Sequence, residues 1–139
     1  MKTGREDMME KLLATARAAM EKAYAPYSGF KVGAAVLGLD GEIYGGCNVE
    51  NASCGLTVCA ERAAVCNAVC GGSRELAEIL LTAENQPSVM PCGACLQVLR
   101  EFSVKKVHIA SREGKIASYG LEELLPLPFA KNKPGEETP

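Results

Sequence analysis

Apolar residues recur at steps of three and four in the first part of the chain, which is the spacing of one face of an amphipathic helix. Over residues 8–23 this pattern predicts a helix, and Pro26 is expected to end it. Residues 60–70 are rich in alanine and precede Gly71-Gly72, a pair that suits a helix C-terminus. A second helix is therefore predicted to begin near Cys59.

Shorter apolar runs in the rest of the chain are typical of strands. Residues 31–39 and 42–49 flank Asp40-Gly41, a turn signal that predicts a β-hairpin. Similar patterns predict further strands and helices, namely strands at residues 78–83, 104–110 and 115–119 and helices at residues 92–102 and 121–125. Because strands alternate with helices after the hairpin, we expect an α/β fold with a mixed sheet covered by helices on both faces.

Length and charge narrow the class of protein. The 139 residues are 47% apolar, enough for one core, so we predict a single domain over residues 1–139 in which residues 131–139 form a loose tail. The 15 basic and 17 acidic residues form no basic stripe, which disfavours a nucleic-acid partner. Charges throughout residues 1–30 argue against a signal peptide, and no apolar run reaches membrane-spanning length. We therefore expect a cytoplasmic protein with no membrane partner.

The cysteines are the first candidates for chemistry. There are seven, an odd number, which favours reduced thiols or metal ligands over disulfides. Cys92 and Cys95 are three residues apart, so on a helix both can reach one ion, and Cys59 is the candidate third ligand. Three protein ligands leave the fourth position of a tetrahedral zinc ion open to water, as in catalytic zinc sites.

The spacing of Cys59 and Glu61 predicts where this site lies. Two residues correspond to about 200° around a helix, so these side chains converge only at a helix end. At a helix N-terminus, amide N–H groups and the dipole favour the thiolate, and the same argument applies at Cys92. Arg62 is expected to offset part of the charge of three thiolates, and Glu61, which is not a ligand, to carry protons.

Other interpretations of these cysteines are open at this point. Cys66 and Cys70 share a helix stripe with Cys59 but lie about 10 Å or more along the axis, so they are interpreted as small buried apolar residues. Cys92 and Cys95 alone could form a thioredoxin-type redox pair. The remaining alternative is a structural zinc module with one of three further residues as its fourth ligand: Cys47, Cys54 or His108.

Cys59-Ala60-Glu61, followed by Pro91-Cys92-Gly93-Ala94-Cys95, resembles the signature of zinc nucleobase deaminases, with cysteine in place of histidine. The surrounding motifs narrow the resemblance to the small cytidine deaminases, over residues of about 8 to 130. These motifs are Ala25-Pro26-Tyr27-Ser28-Gly29-Phe30, Val32-Gly33-Ala34-Ala35, Gly46-Cys47-Asn48-Val49-Glu50-Asn51-Ala52, Cys59-Ala60-Glu61-Arg62 and Glu123-Leu124-Leu125-Pro126. The resemblance implies a three-layer α/β/α fold with a mixed five-stranded sheet.

The resemblance also implies an activity and its residues. The reaction is the hydrolytic deamination of cytidine or deoxycytidine through zinc-activated water, in pyrimidine salvage. One Zn²⁺ per subunit is held by Cys59, Cys92 and Cys95, with Glu61 as general acid and base and Arg62 beside the sulfurs. The residues implied in substrate binding are Phe30, Asn48, Glu50, Ala60 and Phe129.

For the polar residues of this set, substrate binding has to be weighed against interpretations that involve no substrate. Positions 48 and 50 face the same side of a strand, and an amide and a carboxylate suit the hydroxyls of a neutral nucleoside. Turn chemistry at the hairpin end is the alternative interpretation of Asn48 and Asn51, and Glu50 could be a solvated charge. Within the superfamily, a deaminase of a nucleoside antibiotic such as blasticidin or of polynucleotides is the alternative.

The family resemblance further implies a homotetramer in which neighbouring subunits complete each pocket. Phe129 resembles the aromatic residue lent across that interface. Two positions depart from the family pattern, since Leu96 stands where arginine is usual and Cys54 where tyrosine is frequent. The first removes a cation near the thiolates, and the second changes how a neighbouring subunit would contact the sugar.

Overall fold

The computed structural model describes residues 1–84, 86 and 88–136. All the predicted helices and strands are present, and within these described residues the only element not predicted is a short 3-10 helix at Cys54–Leu56. In chain order the elements are α1 (Gly4–Glu21), β1 (Val32–Gly38), β2 (Ile43–Cys47), α2 (Ala60–Cys70), β3 (Leu76–Ala83), α3 (Gly93–Glu101), β4 (Lys106–Ala110), β5 (Ile116–Gly120) and α4 (Leu121–Leu124).

The five strands form one sheet in the order β2-β1-β3-β4-β5. The pairing of β3 with β4 is parallel, whereas β1–β2, β1–β3 and β4–β5 are antiparallel. The hairpin predicted at Asp40-Gly41 is confirmed, with Leu37 opposite Ile43. The prediction of a mixed sheet is therefore confirmed.

Alternate residues of the central strands face two different helix layers. Ala35 and Leu80 pack with Leu12 and Ala16 of α1 on one face. Their neighbours in the strands face the opposite layer, where the core includes Ala34, Val36, Ile79, Leu81, Ala64, Ala68 and Leu99. Helices therefore cover both faces, which confirms the three-layer α/β/α prediction.

Two glycines let the helices approach the sheet closely. A Cβ on Gly33 would lie 1.9 Å from the carbonyl oxygen of Ala16 in α1, and one on Gly46 would lie 2.2 Å from the amide nitrogen of Ala64 in α2. No larger residue fits either position without moving backbone. The contact at Gly46 fixes the distance of α2 from β2, and with it the position of the helix start.

The boundaries of α1 differ from the prediction at both ends. The helix begins at Gly4 because Thr3 is its N-cap, with the side chain accepting a hydrogen bond of 3.0 Å from the N–H of Glu6. The apolar pattern missed this polar first turn. The helix ends at Glu21, because Tyr24 already pairs with Val49 in an isolated β-bridge.

The interpretation of Cys66 and Cys70 as buried residues is wrong, since both are exposed. The buried face of α2 consists instead of Ala60, Glu61, Ala64, Val65 and Ala68. Because alanine side chains are small, they allow α2 to pack closely on the glycines of β2. The side of the helix that carries Cys66 and Cys70 therefore faces away from the sheet.

The C-terminal segment is described only as far as residue 136. Residues 131–136 are exposed and contain neither helix nor strand, whereas residues 137–139 of the predicted tail lie outside the described residues. That residues 1–139 form a single domain stays a prediction. No helix in the described part of the chain is both long and apolar enough to cross a bilayer.

Candidate active site

Two helix N-termini meet at three cysteines. Cys59 is the N-cap of α2, Cys92 is the N-cap of α3, and Cys95 lies in the first turn of α3. Their Sγ atoms all lie within 4.8 Å of one another, and those of Cys92 and Cys95 are 3.5 Å apart. Sulfurs bound to one tetrahedral zinc at about 2.3 Å are roughly 3.8 Å apart, so this donor set fits zinc.

Among the residues that the structure describes, no fourth histidine, cysteine or carboxylate belongs to this cluster. His108 lies on β4 and is 1% exposed. Its Nε2 is 2.8 Å from Glu78 Oε1 and its Nδ1 is 2.7 Å from Ser118 Oγ. His108 is two residues from Ala110, which packs with α1, so it faces the layer opposite α2 and cannot be a fourth ligand.

Arg62 lies beside the sulfurs. Its Nη2 is 3.6 Å from Cys59 Sγ and donates a hydrogen bond of 3.2 Å to the carbonyl of Thr57. The hydrogen bond to Cys59 is the main reason why the pKa of the guanidinium is raised. Leu96, at the position where the family usually has arginine, is buried in the apolar core. Arg62 is therefore the cation that contacts this cluster in the described chain.

The pKa values of the Cys92 and Cys95 thiols are shifted in opposite directions. Burial opposes ionisation of Cys92, but hydrogen bonds with the N–H of Cys95, the Cys95 thiol and the N–H of Ala94 together outweigh burial and lower the pKa of the Cys92 thiol. At Cys95, burial raises the pKa strongly, and the negative charges of Glu61 and Cys59 raise it further. A divalent cation would reverse this effect, because only thiolates act as ligands.

Glu61 is the buried carboxyl group next to the cluster. It lies in the first turn of α2, is 6% exposed and is not a member of the three-sulfur group. Burial raises the pKa of this carboxyl, although its own N–H, Cys95 and Arg62 counteract the effect. A desolvated carboxyl that holds no metal is suited to taking up and releasing protons.

Asn48 is buried and both its polar atoms already contact backbone. Its Oδ1 accepts a hydrogen bond of 2.9 Å from the N–H of Val32, and its Nδ2 donates one of 2.8 Å to the carbonyl of Phe30. These contacts join segments 16 and 18 positions apart, so they are not the local turn chemistry considered from the sequence. That chemistry is present at Asn51, whose Oδ1 accepts a hydrogen bond of 2.9 Å from the N–H of Ser53. One hydrogen of Asn48 Nδ2 remains for another acceptor, so its structural contacts are compatible with substrate binding.

Glu50 accepts hydrogen bonds from the segment at Tyr27 and Ser28. Its Oε1 accepts hydrogen bonds of 2.9 and 3.1 Å from the N–H groups of Tyr27 and Ser28, and its Oε2 accepts one from the Ser28 hydroxyl. These contacts lower the pKa of the Glu50 carboxyl, the Ser28 hydroxyl contributing most. Glu50 is therefore not a solvated charge, and the sequence did not indicate its contact with Ser28.

The segment that carries Asn48 and Glu50 is joined by a β-bridge to the residue before Cys59. Val49, between Asn48 and Glu50, pairs with Val58, which directly precedes Cys59. Phe30 is half-buried against the core beside α2. The structure therefore places these three candidate substrate residues on segments that adjoin the start of α2.

Ala60 and Phe129 differ sharply in exposure. Ala60 is fully buried in the first turn of α2. Phe129 is 77% exposed, and its carbonyl accepts a hydrogen bond of 2.8 Å from Nε2 of Gln97, two residues after Cys95. The backbone of Phe129 is thus bound to α3, which carries Cys95, while most of the Phe129 side chain is exposed.

Comparisons with known proteins agree with this geometry. The profile of the family described as "Cytidine and deoxycytidylate deaminase zinc-binding region" matches residues 6–111. The cytidine deaminase of Sporosarcina psychrophila is 44% identical over 125 residues, which cover 88% of this chain and 92% of that protein. A crystal structure of cytidine deaminase from Burkholderia pseudomallei is 44% identical and superposes with a TM-score of 0.81, covering 86% of this chain and 98% of that chain. The structure of the Mycobacterium tuberculosis cytidine deaminase is 40% identical with a TM-score of 0.76, covering 88% and 97% of the two chains.

The family match covers the three sulfurs, the buried carboxyl and the arginine beside them, as well as all three layers of the fold. On this evidence the chain belongs to the cytidine and deoxycytidylate deaminase family, a family of zinc-dependent enzymes.

Proposed function

We propose that this protein deaminates cytidine and deoxycytidine by hydrolysis, giving uridine or deoxyuridine and ammonia. The observation that carries the proposal is the buried Glu61 beside three sulfurs that have no fourth protein ligand among the described residues. Cys59, Cys92 and Cys95 would hold one zinc ion per chain, whose Lewis acidity activates water when the ion is bound.

In this mechanism Glu61 moves the protons. Its carboxylate takes a proton from the attacking water and delivers it to N3 of cytosine while the water oxygen adds to C4. Glu61 then transfers the second proton to the exocyclic amine, which leaves as ammonia. The water oxygen remains as the 4-oxo group of uridine, so atoms and charge balance.

The chain's other residues bind the nucleoside. Asn48 has one N–H left and Glu50 has acceptor capacity left at Oε2, which together match a sugar hydroxyl that both accepts and donates. Phe30 and Ala60 would contact the base and its surroundings. Because neither a basic stripe nor a phosphate-binding loop accompanies these residues, a free nucleoside is favoured over a polynucleotide.

We extend the proposal to the assembly and its setting. Leu127 and Phe129 are 92% and 77% exposed, which supports an interface that covers them in a homotetramer with shared active sites. We also propose that residues 1–139 form a single domain and that the enzyme acts in the cytoplasm in pyrimidine salvage.

The direct test uses purified, zinc-loaded protein and cytidine. Conversion to uridine, followed by the change in ultraviolet absorbance and by release of one ammonia per nucleoside, is the expected result. Blasticidin and a cytosine-containing oligonucleotide serve as comparison substrates. Turnover of either with no turnover of cytidine would overturn the proposal.

A further inference from the structure

Ser28 connects two parts of the proposed sugar-binding region. Its hydroxyl donates to Glu50 Oε2 and accepts a hydrogen bond of 3.0 Å from the N–H of Phe30. Its own N–H donates to Glu50 Oε1. One small side chain therefore contacts both the carboxylate and the backbone of the aromatic residue, although Glu50 lies 22 positions away in the sequence.

The hydrogen-bond capacity of Glu50 shows what this contact does. A carboxylate offers about four acceptor sites, two on each oxygen. The N–H groups of Tyr27 and Ser28 occupy Oε1, and the Ser28 hydroxyl occupies one site on Oε2. The remaining site on Oε2 has a fixed direction, because the three donors set the rotation of the carboxylate.

We propose that Ser28 is a positioning residue that orients Glu50 so that its remaining acceptor site meets a sugar hydroxyl of the nucleoside. This inference rests on the proposed function. Glu50 is half-buried and its side chain would otherwise rotate towards water, so binding would have to order it each time. In this role Ser28 acts through Glu50 and would itself touch neither the substrate nor the reacting atoms.

The first experiment compares Ser28→Ala and Ser28→Thr on two substrates, cytidine and 2′,3′-dideoxycytidine, which lacks the 2′- and 3′-hydroxyls with which Glu50 is proposed to pair. Ser28→Ala should raise KM for cytidine roughly tenfold, as expected for loss of a hydrogen bond to a charged group, while kcat changes less than about twofold. On 2′,3′-dideoxycytidine the same variant should change kcat/KM less than about twofold. Ser28→Thr keeps the hydroxyl and should restore most of the affinity for cytidine.

A second experiment repeats Ser28→Ala in a Glu50→Gln background, where the effect on KM for cytidine should largely vanish because Ser28 acts through the carboxylate. Ser111→Ala is the matched control, since Ser111 Oγ accepts a backbone hydrogen bond of the same length, 3.0 Å from Lys115, in the β4–β5 turn. It should leave KM unchanged.

The outcomes separate this inference from the proposed function. The inference would be overturned if Ser28→Ala lowered kcat/KM equally for both substrates. It would also be overturned if Ser28→Ala raised KM for cytidine as much in the Glu50→Gln background as in the wild type, because Ser28 would then have only a structural role. A wild-type protein inactive on cytidine would overturn the proposed function itself. A wild-type enzyme that is active, with Ser28→Ala indistinguishable from it, would refute the role of Ser28 alone.

Discussion

At the residue scale, the first turn of α2 gives neighbouring side chains different tasks. Cys59 precedes the helix and turns its sulfur towards those of α3, whereas Glu61 is buried next to them. Arg62 follows and contacts Cys59. Only a helix start allows residues this close in sequence to converge, because in mid-helix positions 59 and 61 would point in opposite directions.

Glu61→Gln tests the proton-transfer role of this residue. The amide has nearly the same shape but cannot accept the proton, so kcat should fall by about 10²-fold or more while one zinc ion per chain is retained. Steady-state kinetics and zinc analysis of the same preparation check both parts. Full activity in a zinc-loaded variant would exclude Glu61 as the proton carrier.

The lowered pKa of Glu78 should make the free energy of unfolding depend on pH. The hydrogen bond from Arg5, followed by that from His108, lowers the pKa of this buried carboxyl from 4.5 to about 2. Between pH 4.5 and about 2, the unfolded chain therefore binds more protons at this carboxyl than the folded protein does. The stabilisation is present above about pH 4.5 and is lost as the pH falls towards 2. Because Arg5 is 55% exposed and water screens part of this interaction, the contribution is on the order of 1–2 kcal/mol.

Urea unfolding of the wild type and of Glu78→Gln, at pH values from 6 down to 3, measures the contribution of the Glu78 carboxylate as the difference between their free energies of unfolding. This difference should become smaller as the solution is acidified. A constant difference would mean that the carboxylate charge does not stabilise the fold. Release of zinc in acid affects both proteins and so cancels in the comparison.

At the element scale, the position of the site depends on how closely α2 packs on β2. Gly46 lies against the backbone of α2 at Ala60 and Ala64. Neighbouring Gly45 instead faces side chains of α1, and a Cβ there would lie 3.1 Å from Thr15 Cγ2. A side chain can adjust to such a contact, but a helix backbone must move as a unit.

Gly46→Ala should therefore lower stability by about 2 kcal/mol or more and weaken zinc binding, because displacing α2 moves Cys59 away from the sulfurs of α3. Gly45→Ala is the matched control and should cost less stability and leave zinc affinity nearly unchanged. Thermal unfolding and competition with a chromophoric chelator measure the two effects. Equal zinc affinities of the two variants would contradict this dependence on helix position.

At the scale of the whole molecule, the proposed homotetramer would cover the exposed Phe129 and place it in a neighbouring active site. Co-expression of Glu61→Gln with Phe129→Ala tests this proposal, since a mixed tetramer contains sites that combine an intact Glu61 with an intact Phe129. We expect each variant alone to lose kcat/KM and the mixture to regain part of it. Native mass spectrometry should show four chains of 14.7 kDa. A monomer, or a mixture no more active than its parts, would contradict shared sites.

Much of the fold could be predicted from the sequence because its signals are local. The period of the apolar residues, the Asp40-Gly41 turn and the glycines after α2 indicated every α-helix and strand of the described chain, but not the 3-10 helix at Cys54–Leu56. Boundaries were less accurate where a cap or a long-range pairing decides them, as at Thr3 and Tyr24. The zinc-site residues were also predictable, because metal geometry restricts both residue type and spacing.

The tertiary structure alone decided which side chains meet across the sequence. The contact of Ser28 with Glu50, the burial of His108 on the face away from the cysteines and the exposure of Cys66 depend on how separate elements pack. Helical and strand periodicity show which residues share a face but not which layer that face meets. That choice is made by packing, here by glycines and alanines that let α2 lie against the sheet.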